Sequence, residues 1–456
     1  MDRNLSGKLP TFARREPRSN PYRLLLLVGL IIGGVWLITQ IGEQPDQLVK
    51  PLFLPTPTPT RTVDSYLLEA EAYFAAGKID DPVEMDAIDA YYQAIAIDPT
   101  NTQAMAELAR LLTYSTSLLA SQDDKIARMA EARQVIEQAV ALAPDDTTVL
   151  AIQALVLNWS ASVTVDPNQR EEWLILAEQA AGKAYNFDPD NYLALAFYAE
   201  VLLDQQKWSQ AEQHARTAVE LAPDVMDTHR VYGTVLETFG QYRLAIEQYQ
   251  RAAEINPNLT FLYIRIGVIY RELQLYDQAL EYFERAISIN NSNGVQDPLP
   301  YIAIAKTYSR MGEFFIAGLN AQRALAFDPT NANTYGQLGD IYRRARNYES
   351  AQLAFECVVY GCSVTRAQEI LDELELGIEV TAPVEQMPLL NDEVAWYYAM
   401  YGSVLAALSR PSANQCPEAL DVLEQVRLAF PENTLLMGLV AENEAICRLI
   451  EATPAP

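Results

Sequence analysis

Histidine and positive charge are both scarce in this sequence. Its 456 residues include two histidines, His214 and His229, and 33 basic against 60 acidic residues, which gives a formal charge of −27. Neither histidine has a cysteine or an acidic cluster at ligand spacing, so we expect both on solvated helix positions rather than at a metal. The acidic balance argues against nucleic acid as a partner, because phosphates need a basic surface.

Recognisable catalytic motifs are missing as well. The sequence contains no phosphate-cradling glycine loop, no nucleophile elbow and no paired-carboxylate motif. Its many acidic residues suit the solvent-facing side of amphipathic helices. We therefore expect a non-catalytic protein that needs no cofactor.

The few basic residues are concentrated at the N-terminus. Residues 1–23 hold six basic and two acidic residues, a charge of +4, which leaves −31 for the rest of the chain. The uncharged run that follows, 24–41, has eighteen residues and is long enough for a thin or tilted membrane crossing. The positive-inside rule then predicts a basic cytoplasmic arm (1–23), a transmembrane helix (24–41) and an extracytoplasmic remainder, in a single-pass cell-membrane protein.

A cleaved signal peptide is the alternative interpretation of this region. No small-x-small cleavage site follows the apolar run, which favours an uncleaved anchor. Gly29 and Gly33 have the spacing that pairs membrane helices and could join two copies in a homo-oligomer, although glycines at this spacing also occur by chance. Residues 42–61 contain PLFLPTPTPTRT, which favours extended polyproline geometry and predicts a Pro/Thr-rich linker.

From residue 62 onwards the sequence repeats itself. A step of 34 residues leads from Pro223 to Pro257, and the same step connects columns of glycine and alanine. Such a period is typical of a solenoid. Within each unit, small and apolar residues recur at helical spacing on two helices, and the small ones allow the helix backbones to approach closely. The predicted packing positions are Gly233, Ala245, Ala252, Gly267, Ala279, Ala286, Gly339 and Ala351.

This pattern resembles the tetratricopeptide repeat (TPR) family. The resemblance implies an all-α fold, an α-solenoid in which helix hairpins form a right-handed superhelix. It predicts an array of about eight repeats over 62–376, an irregular connector at 377–391, and a C-terminal hairpin with a closing helix at 392–450. Two early steps, between Pro99, Pro144 and Pro189, are 45 residues long instead of 34, which predicts lengthened helices or a protruding loop.

Four cysteines suggest two disulfide bonds. Cys357 and Cys362 flank a helix end that is capped by a glycine, where these two positions come into contact. Cys416 and Cys447 lie fifteen and sixteen residues from Pro431, so an antiparallel hairpin that turns at this proline would place them side by side. Disulfides would agree with the extracytoplasmic topology. The alternative is four ordinary buried thiols.

In TPR proteins the first helix of each hairpin lines a concave groove that binds peptides or protein segments. In this chain the corresponding positions concentrate cations, and arginine forks suit carboxylates, so we hypothesise that an acidic or C-terminal peptide segment binds there. The alternative is that these cations pair with nearby glutamates of the same chain. The candidate partner-binding residues are Arg230, Phe261, Arg271, Lys306, Arg310, Arg343 and Arg344.

The leading functional hypothesis is a membrane-anchored protein-interaction scaffold in cell-envelope assembly. A carbohydrate-associated role in polysaccharide export or glycosyl transfer is the alternative, because tryptophans can stack on sugars. A regulatory domain of a larger enzyme is a third and weaker possibility. The tryptophans in question are Trp159, Trp173, Trp208 and Trp396.

Overall fold

The computed structural model describes residues 20–43, 61–81, 84–119, 122–164 and 166–452. Backbone contacts divide the chain into two units, 1–61 and 62–456, which are described separately. In the first unit the described part is one helix, α1 (Pro21–Glu43). Most of the predicted basic arm and of the Pro/Thr-rich linker lies outside the described residues.

The prediction of a membrane anchor is wrong. Within the described part of the chain, no helix is long and apolar enough to span a bilayer. The single-pass topology, the membrane as a partner and the extracytoplasmic placement of the array depended on that anchor and are withdrawn with it.

The second unit is helical throughout its described part, with two isolated β-bridges and no strand. A short 3-10 helix occupies Thr116–Leu118. The α-helices are α2 (Val63–Ala75), α3 (Ala87–Ile97), α4 (Thr102–Ser115), α5 (Gln122–Leu142), α6 (Thr147–Val163), α7 (Pro167–Phe187), α8 (Tyr192–Asp204), α9 (Trp208–Leu221), α10 (Met226–Thr238), α11 (Tyr242–Ile255), α12 (Thr260–Glu272), α13 (Tyr276–Asn293), α14 (Leu299–Met311), α15 (Phe314–Phe327), α16 (Ala332–Arg344), α17 (Tyr348–Tyr360), α18 (Val364–Glu373), α19 (Asp392–Leu408), α20 (Cys416–Ala429) and α21 (Thr434–Glu451).

Short polar turns separate one hairpin from the next and start its first helix. Before α4, the Asn101 side chain accepts a hydrogen bond from the backbone N–H of Ala104 at 3.0 Å. Asn191 and Asn331 cap α8 and α16 in the same way. These side chains satisfy a backbone donor that the first helical turn leaves unpaired.

The hairpins are α2–α3, α4–α5 and so on to α16–α17, followed by α19–α20. Within a hairpin, a small residue of the first helix faces an aromatic ring of the second. A Cβ atom at Gly267 would lie 2.5 Å from Phe283, and one at Gly339 would lie 2.8 Å from Phe355. The corresponding distance from Gly233 to Tyr249 is 3.0 Å. The alanines of the predicted packing columns are fully buried: Ala245, Ala252, Ala279, Ala286 and Ala351.

The two long steps in the sequence correspond to lengthened helices. Helices α5 and α7 each have 21 residues, whereas the second helices α9 and α11 have 14. Helix α6 has 17 residues against 13 in α8. The extra residues therefore extend the second and third hairpins.

The C-terminal part is fastened by both cysteine pairs. Cys357 and Cys362 are bonded at 2.04 Å across the end of α17, and Cys416 and Cys447 join α20 to α21 at 2.19 Å. The connector between α18 and α19 returns along α17, where the Met387 N–H donates to the Val358 carbonyl at 3.0 Å. An isolated antiparallel β-bridge between Cys362 and Val384 holds the connector against the end of α17.

We expect Gly267→Ala to lower the free energy of unfolding by about 1–3 kcal/mol, because the added methyl group meets a fully buried phenylalanine ring. Urea unfolding of the full chain measures the change. The matched control is Gly438→Ala in α21, where a Cβ has nothing within 4 Å and helix propensity should raise stability by about 0.5–1 kcal/mol. If Gly267→Ala were as stable as the control, the close helix contact would be refuted.

Candidate functional site

The first six hairpins, α2 to α13, form a closed turn. The end of α2 meets the sixth hairpin, where Asn258 Nδ2 donates to the Ala75 carbonyl and Asn293 Nδ2 donates to the Ala76 carbonyl, both at 3.0 Å. Gly77 adopts φ +79° beside them, and a Cβ at this position would lie 2.5 Å from the Asn258 carbonyl oxygen. Residues more than 180 positions apart thus close the superhelix on itself.

The inside of this turn is filled by side chains from the first helices of the hairpins. Arg110 of α4 donates to Asp227 of α10 at 2.8 Å, although 117 residues separate them. Arg230 donates to both oxygens of Glu200, at 3.1 and 2.9 Å. We call the following set the inner cluster: Arg110, Tyr114, Trp159, Glu200, Asp227 and Arg230.

Aromatic rings complete the inner cluster. Trp159 Nε1 donates to Glu200 at 3.0 Å, and the Tyr114 hydroxyl donates to Asp227. The Tyr114 ring lies 5.8 Å from that of Trp159 and 5.9 Å from that of Phe261. Each charged group inside the turn therefore has an oppositely charged or aromatic neighbour in the chain itself.

Electrostatics keep the Arg230 guanidinium charged despite its burial. Burial opposes this positive charge most strongly, but Glu200, Tyr114 and Asp227 together outweigh burial and raise the Arg230 pKa above its ordinary value. Burial and then the Asp227 carboxylate raise the pKa of the Tyr114 hydroxyl, so this group stays protonated and can donate. The Arg230 guanidinium thus stays charged and the Tyr114 hydroxyl stays neutral.

Three of the candidate partner-binding residues are enclosed by the array. Arg230 is only 5% exposed and belongs to the inner cluster. Phe261 is half-buried against Tyr114. Arg271 is also buried, and its guanidinium lies 3.4 Å from the Ala303 carbonyl oxygen.

The other four candidates lie on α14 and α16, and each has a polar partner in the chain. Lys306 lies 3.4 Å from Glu393, and Arg310 lies 2.9 Å from Glu272. The shortest Arg343–Asp340 distance is 2.7 Å. Arg344 donates to the Ser309 hydroxyl at 2.9 Å. Two of the four, Lys306 and Arg310, thus pair with glutamates of the same chain.

Lys306 and Arg310 are more exposed than Arg230 and Arg271. The side chains of Lys306 and Glu393 are 36% and 53% exposed, and those of Arg310 and Glu272 are 42% and 43% exposed. We call this surface the exposed ion-pair strip; it runs across α12, α14, α16 and α19. Its residues are Glu272, Lys306, Arg310, Asp340, Arg343, Arg344 and Glu393.

Sequence reasoning missed the contribution of α19 to this strip. Tyr397 of α19 packs on α16 so closely that a Cβ at Gly336 would lie 2.7 Å from its ring. The Tyr397 hydroxyl oxygen lies 2.8 Å from Asn333 Oδ1 and 3.2 Å from Glu393 Oε1, and its single proton is donated to one of these acceptors at a time. The irregular connector carries α19 back onto α16, and no repeat period marks that return.

The histidines and tryptophans have packing roles. His229 is buried, with its ring nitrogens 2.7 Å from Gln248 and 2.9 Å from the Pro223 carbonyl oxygen, which corrects its expected solvated position. His214 lies between two tyrosine rings, and burial lowers its pKa. Trp173 lies under the Arg133 guanidinium at 4.2 Å. Among the described residues no group of three metal-ligating side chains occurs.

Comparison with known proteins supports the TPR resemblance. Three segments match family models described as tetratricopeptide repeat, at residues 198–260, 261–293 and 320–353. They cover most of α8 to α13 and the region from α15 to α17. The curated proteins include no match by sequence.

Several solved structures are distantly similar. A crystal structure of MamA is 22% identical, covers 37% of this chain and 96% of its own, and has a TM-score of 0.32. A thermophilic TPR protein of Thermus thermophilus is 17% identical, with coverages of 46% and 98% and a TM-score of 0.36. The Cut9–Hcn1 hetero-tetramer of the APC/C is 15% identical, with coverages of 85% and 78% and a TM-score of 0.46. Similarities this low carry no argument about function.

We expect Glu200→Ala to destabilise the protein by about 3–5 kcal/mol, because it leaves the buried Arg230 charge without its carboxylate. Glu272→Ala, which breaks the exposed pair with Arg310, should cost less than about 1 kcal/mol. Urea unfolding of both variants gives the comparison. Equal destabilisation by the two substitutions would contradict the distinction between a buried cluster and an exposed strip.

Proposed function

We propose that this protein is a non-catalytic scaffold that binds a protein partner along the exposed ion-pair strip. TPR proteins generally act as protein-interaction scaffolds, and the three matched segments support that class of function. The strip is chosen because its ion pairs are more exposed than those of the inner cluster. The inner cluster fills the closed turn, whereas the Arg310–Glu272 pair of the strip is open to solvent.

Energetics favour the strip as the surface that can exchange partners. An exposed ion pair contributes about 0–1 kcal/mol, so replacing Glu272 beside Arg310 by a carboxylate of another protein costs little. Breaking the buried Arg230–Glu200 pair costs about 3–5 kcal/mol. A partner segment would therefore engage the strip without opening the closed turn.

The cations of the strip indicate the chemistry of the partner. Lys306, Arg310, Arg343 and Arg344 lie on two successive first helices, and guanidinium groups bind carboxylates in a bidentate manner. An acidic peptide segment, or one ending in a free carboxylate, offers the complementary groups. Its carboxylates would replace Glu272, Asp340 and Glu393 as the partners of these cations.

The proposal does not extend to cell-envelope assembly, because that setting depended on the predicted anchor. A carbohydrate-associated role has weaker support in the structure. Trp159 is held by Glu200, Trp173 lies against Arg133, and Trp208 packs edge-on against Phe239. These rings serve contacts within the array.

Charge reversal tests the strip directly. In Arg310→Glu/Arg343→Glu, two cations of the strip become anions. We expect about tenfold weaker binding of a glutamate-rich peptide with a free C-terminus, because two attractive contacts of up to about 1 kcal/mol each are replaced by repulsive ones. Fluorescence anisotropy with a labelled peptide measures the affinity.

The matched control is Arg243→Glu/Arg251→Glu, which makes the same change in net charge on exposed positions of α11. This control should bind almost as the unaltered protein does. Equal weakening in both double variants would show a non-specific charge effect, and unchanged binding in Arg310→Glu/Arg343→Glu would exclude the strip as the peptide site.

A further inference from the structure

A cavity of about 360 Å³ lies between the first hairpin and α4, where the closed turn meets itself. Ligand sites in proteins have volumes of about 300–1,000 Å³ and combine apolar walls with a few polar groups. This cavity combines both kinds of surface. The side chains that define its chemistry are Glu71 and Phe74 of α2, Tyr91 of α3, and Glu107 and Arg110 of α4.

The Tyr91 hydroxyl is a buried polar group that the fold itself does not use. Tyr91 is only 5% exposed, and among the described residues its hydroxyl has no hydrogen-bond partner. Its charged neighbours are Glu107, Arg110 and Glu71, which all line the cavity. Burial, and after it the Glu107 carboxylate, raises the pKa of this hydroxyl, so it stays protonated. Since buried hydroxyls nearly always have a partner, this exception calls for an explanation.

A later repeat shows which group completes the equivalent place. The alanine columns align α3 and α4 with α11 and α12, and in this alignment Tyr91 corresponds to Tyr249 and Glu107 corresponds to Arg265. The Tyr249 hydroxyl donates to Glu237 at 3.0 Å, and Arg265 Nε donates to the same carboxylate at 2.8 Å. The later repeat thus combines a tyrosine, a carboxylate and a guanidinium group of its own chain.

The first repeat keeps the tyrosine and the carboxylates but has no guanidinium in that position. Helices α2 and α10 each end two residues before a glycine with positive φ. Aligning them on that glycine places Glu71 at Thr234 and Phe74 at Glu237. Because Glu107 stands where the later repeat has its arginine, the first repeat presents two carboxylates beside its tyrosine.

Arg110 does not take the place of that guanidinium. It donates to Glu107 Oε2 at 2.9 Å and to Asp227 at 2.8 Å, and neither contact involves Tyr91. Asp227 balances the charge of Arg110, so Glu71 and Glu107 leave two formal negative charges at the cavity. Within the part of the chain that the structure describes, Glu107 Oε1 accepts no hydrogen bond. The cavity therefore offers acceptors and negative charge to a cation.

We propose that this cavity binds a guanidinium group that comes from outside the chain. Its N–H groups donate to the Tyr91 hydroxyl oxygen and to the carboxylates of Glu107 and Glu71, and its alkyl stem lies against the Phe74 ring. A free small molecule and an arginine side chain of another protein offer the same chemistry, and the experiment separates these two sources. The site lies on α2 to α4 and is independent of the exposed ion-pair strip.

Isothermal titration calorimetry of the full chain with butylguanidinium tests the proposal. Butylurea has nearly the same shape without the charge, and we expect it to bind about tenfold more weakly or not at all. A second titration uses the peptide acetyl-Gly-Arg-Gly-amide, whose only charge is its guanidinium. A peptide that binds at least as tightly as butylguanidinium identifies an arginine side chain as the source, and a peptide that binds more weakly identifies a small molecule.

Tyr91→Phe removes only the hydroxyl, and because Phe283 and Phe355 occupy the equivalent positions of other repeats, this variant should fold with unchanged stability. It should bind butylguanidinium about tenfold more weakly, since one hydrogen bond to a charged group is lost. The matched control Tyr249→Phe removes a hydroxyl that is bonded within the chain and should bind as the unaltered protein does. Glu71→Gln, at an exposed position, should weaken binding about two- to fivefold.

Three results would each overturn the proposal. The first is that the unaltered protein binds neither butylguanidinium nor the peptide. The second is that butylurea binds as tightly as butylguanidinium, because the site would then not recognise the charge. The third is that Tyr91→Phe binds the probe as tightly as the unaltered protein, or no more weakly than Tyr249→Phe. Circular dichroism of each variant verifies that it is folded.

Discussion

Close approach of helix backbones at small residues is the constraint on which the rest of the array depends. Where Gly267 meets Phe283 and Gly339 meets Phe355, no room remains for even one methyl group. Each hairpin is therefore held at one separation and one angle. Repeating that geometry along the chain sets the curvature of the superhelix, and the curvature decides which surfaces remain open.

Curvature and helix length together close the first six hairpins. The long helices α5 and α7 belong to the second and third hairpins, and the turn that contains them brings Asn258 and Asn293 against the end of α2. Closure buries most side chains on the inside of the turn, and ion pairs buried there need partners. Arg230 donates two hydrogen bonds to Glu200, and its Nε lies 3.7 Å from Asp227. The face that binds ligands in an open array has become an interior.

The sequence predicted the helical hairpins of this structure, but it did not predict the contacts between distant repeats. A period of 34 residues identified helical hairpins, and the all-helical fold and TPR matches confirm that prediction. The two cysteine pairs also lie at bonding distance, because both pairings follow from local helix geometry. Contacts such as Arg110 with Asp227 could not be predicted, since they depend on curvature summed over several hairpins. The same sum enclosed Arg230, whose equivalents in later repeats, Ile264 and Gly336, carry no charge.

A stack of repeats normally frays from its two ends, because a terminal hairpin has a neighbour on one side only. Here both ends of the helical unit are fastened. The first hairpin is bound to the sixth through Asn258 and Asn293, and the last helices are joined covalently through Cys416 and Cys447. Neither terminal hairpin is then free to open on its own. Hydrogen exchange would accordingly lack the steep rise toward both ends that an unfastened solenoid shows.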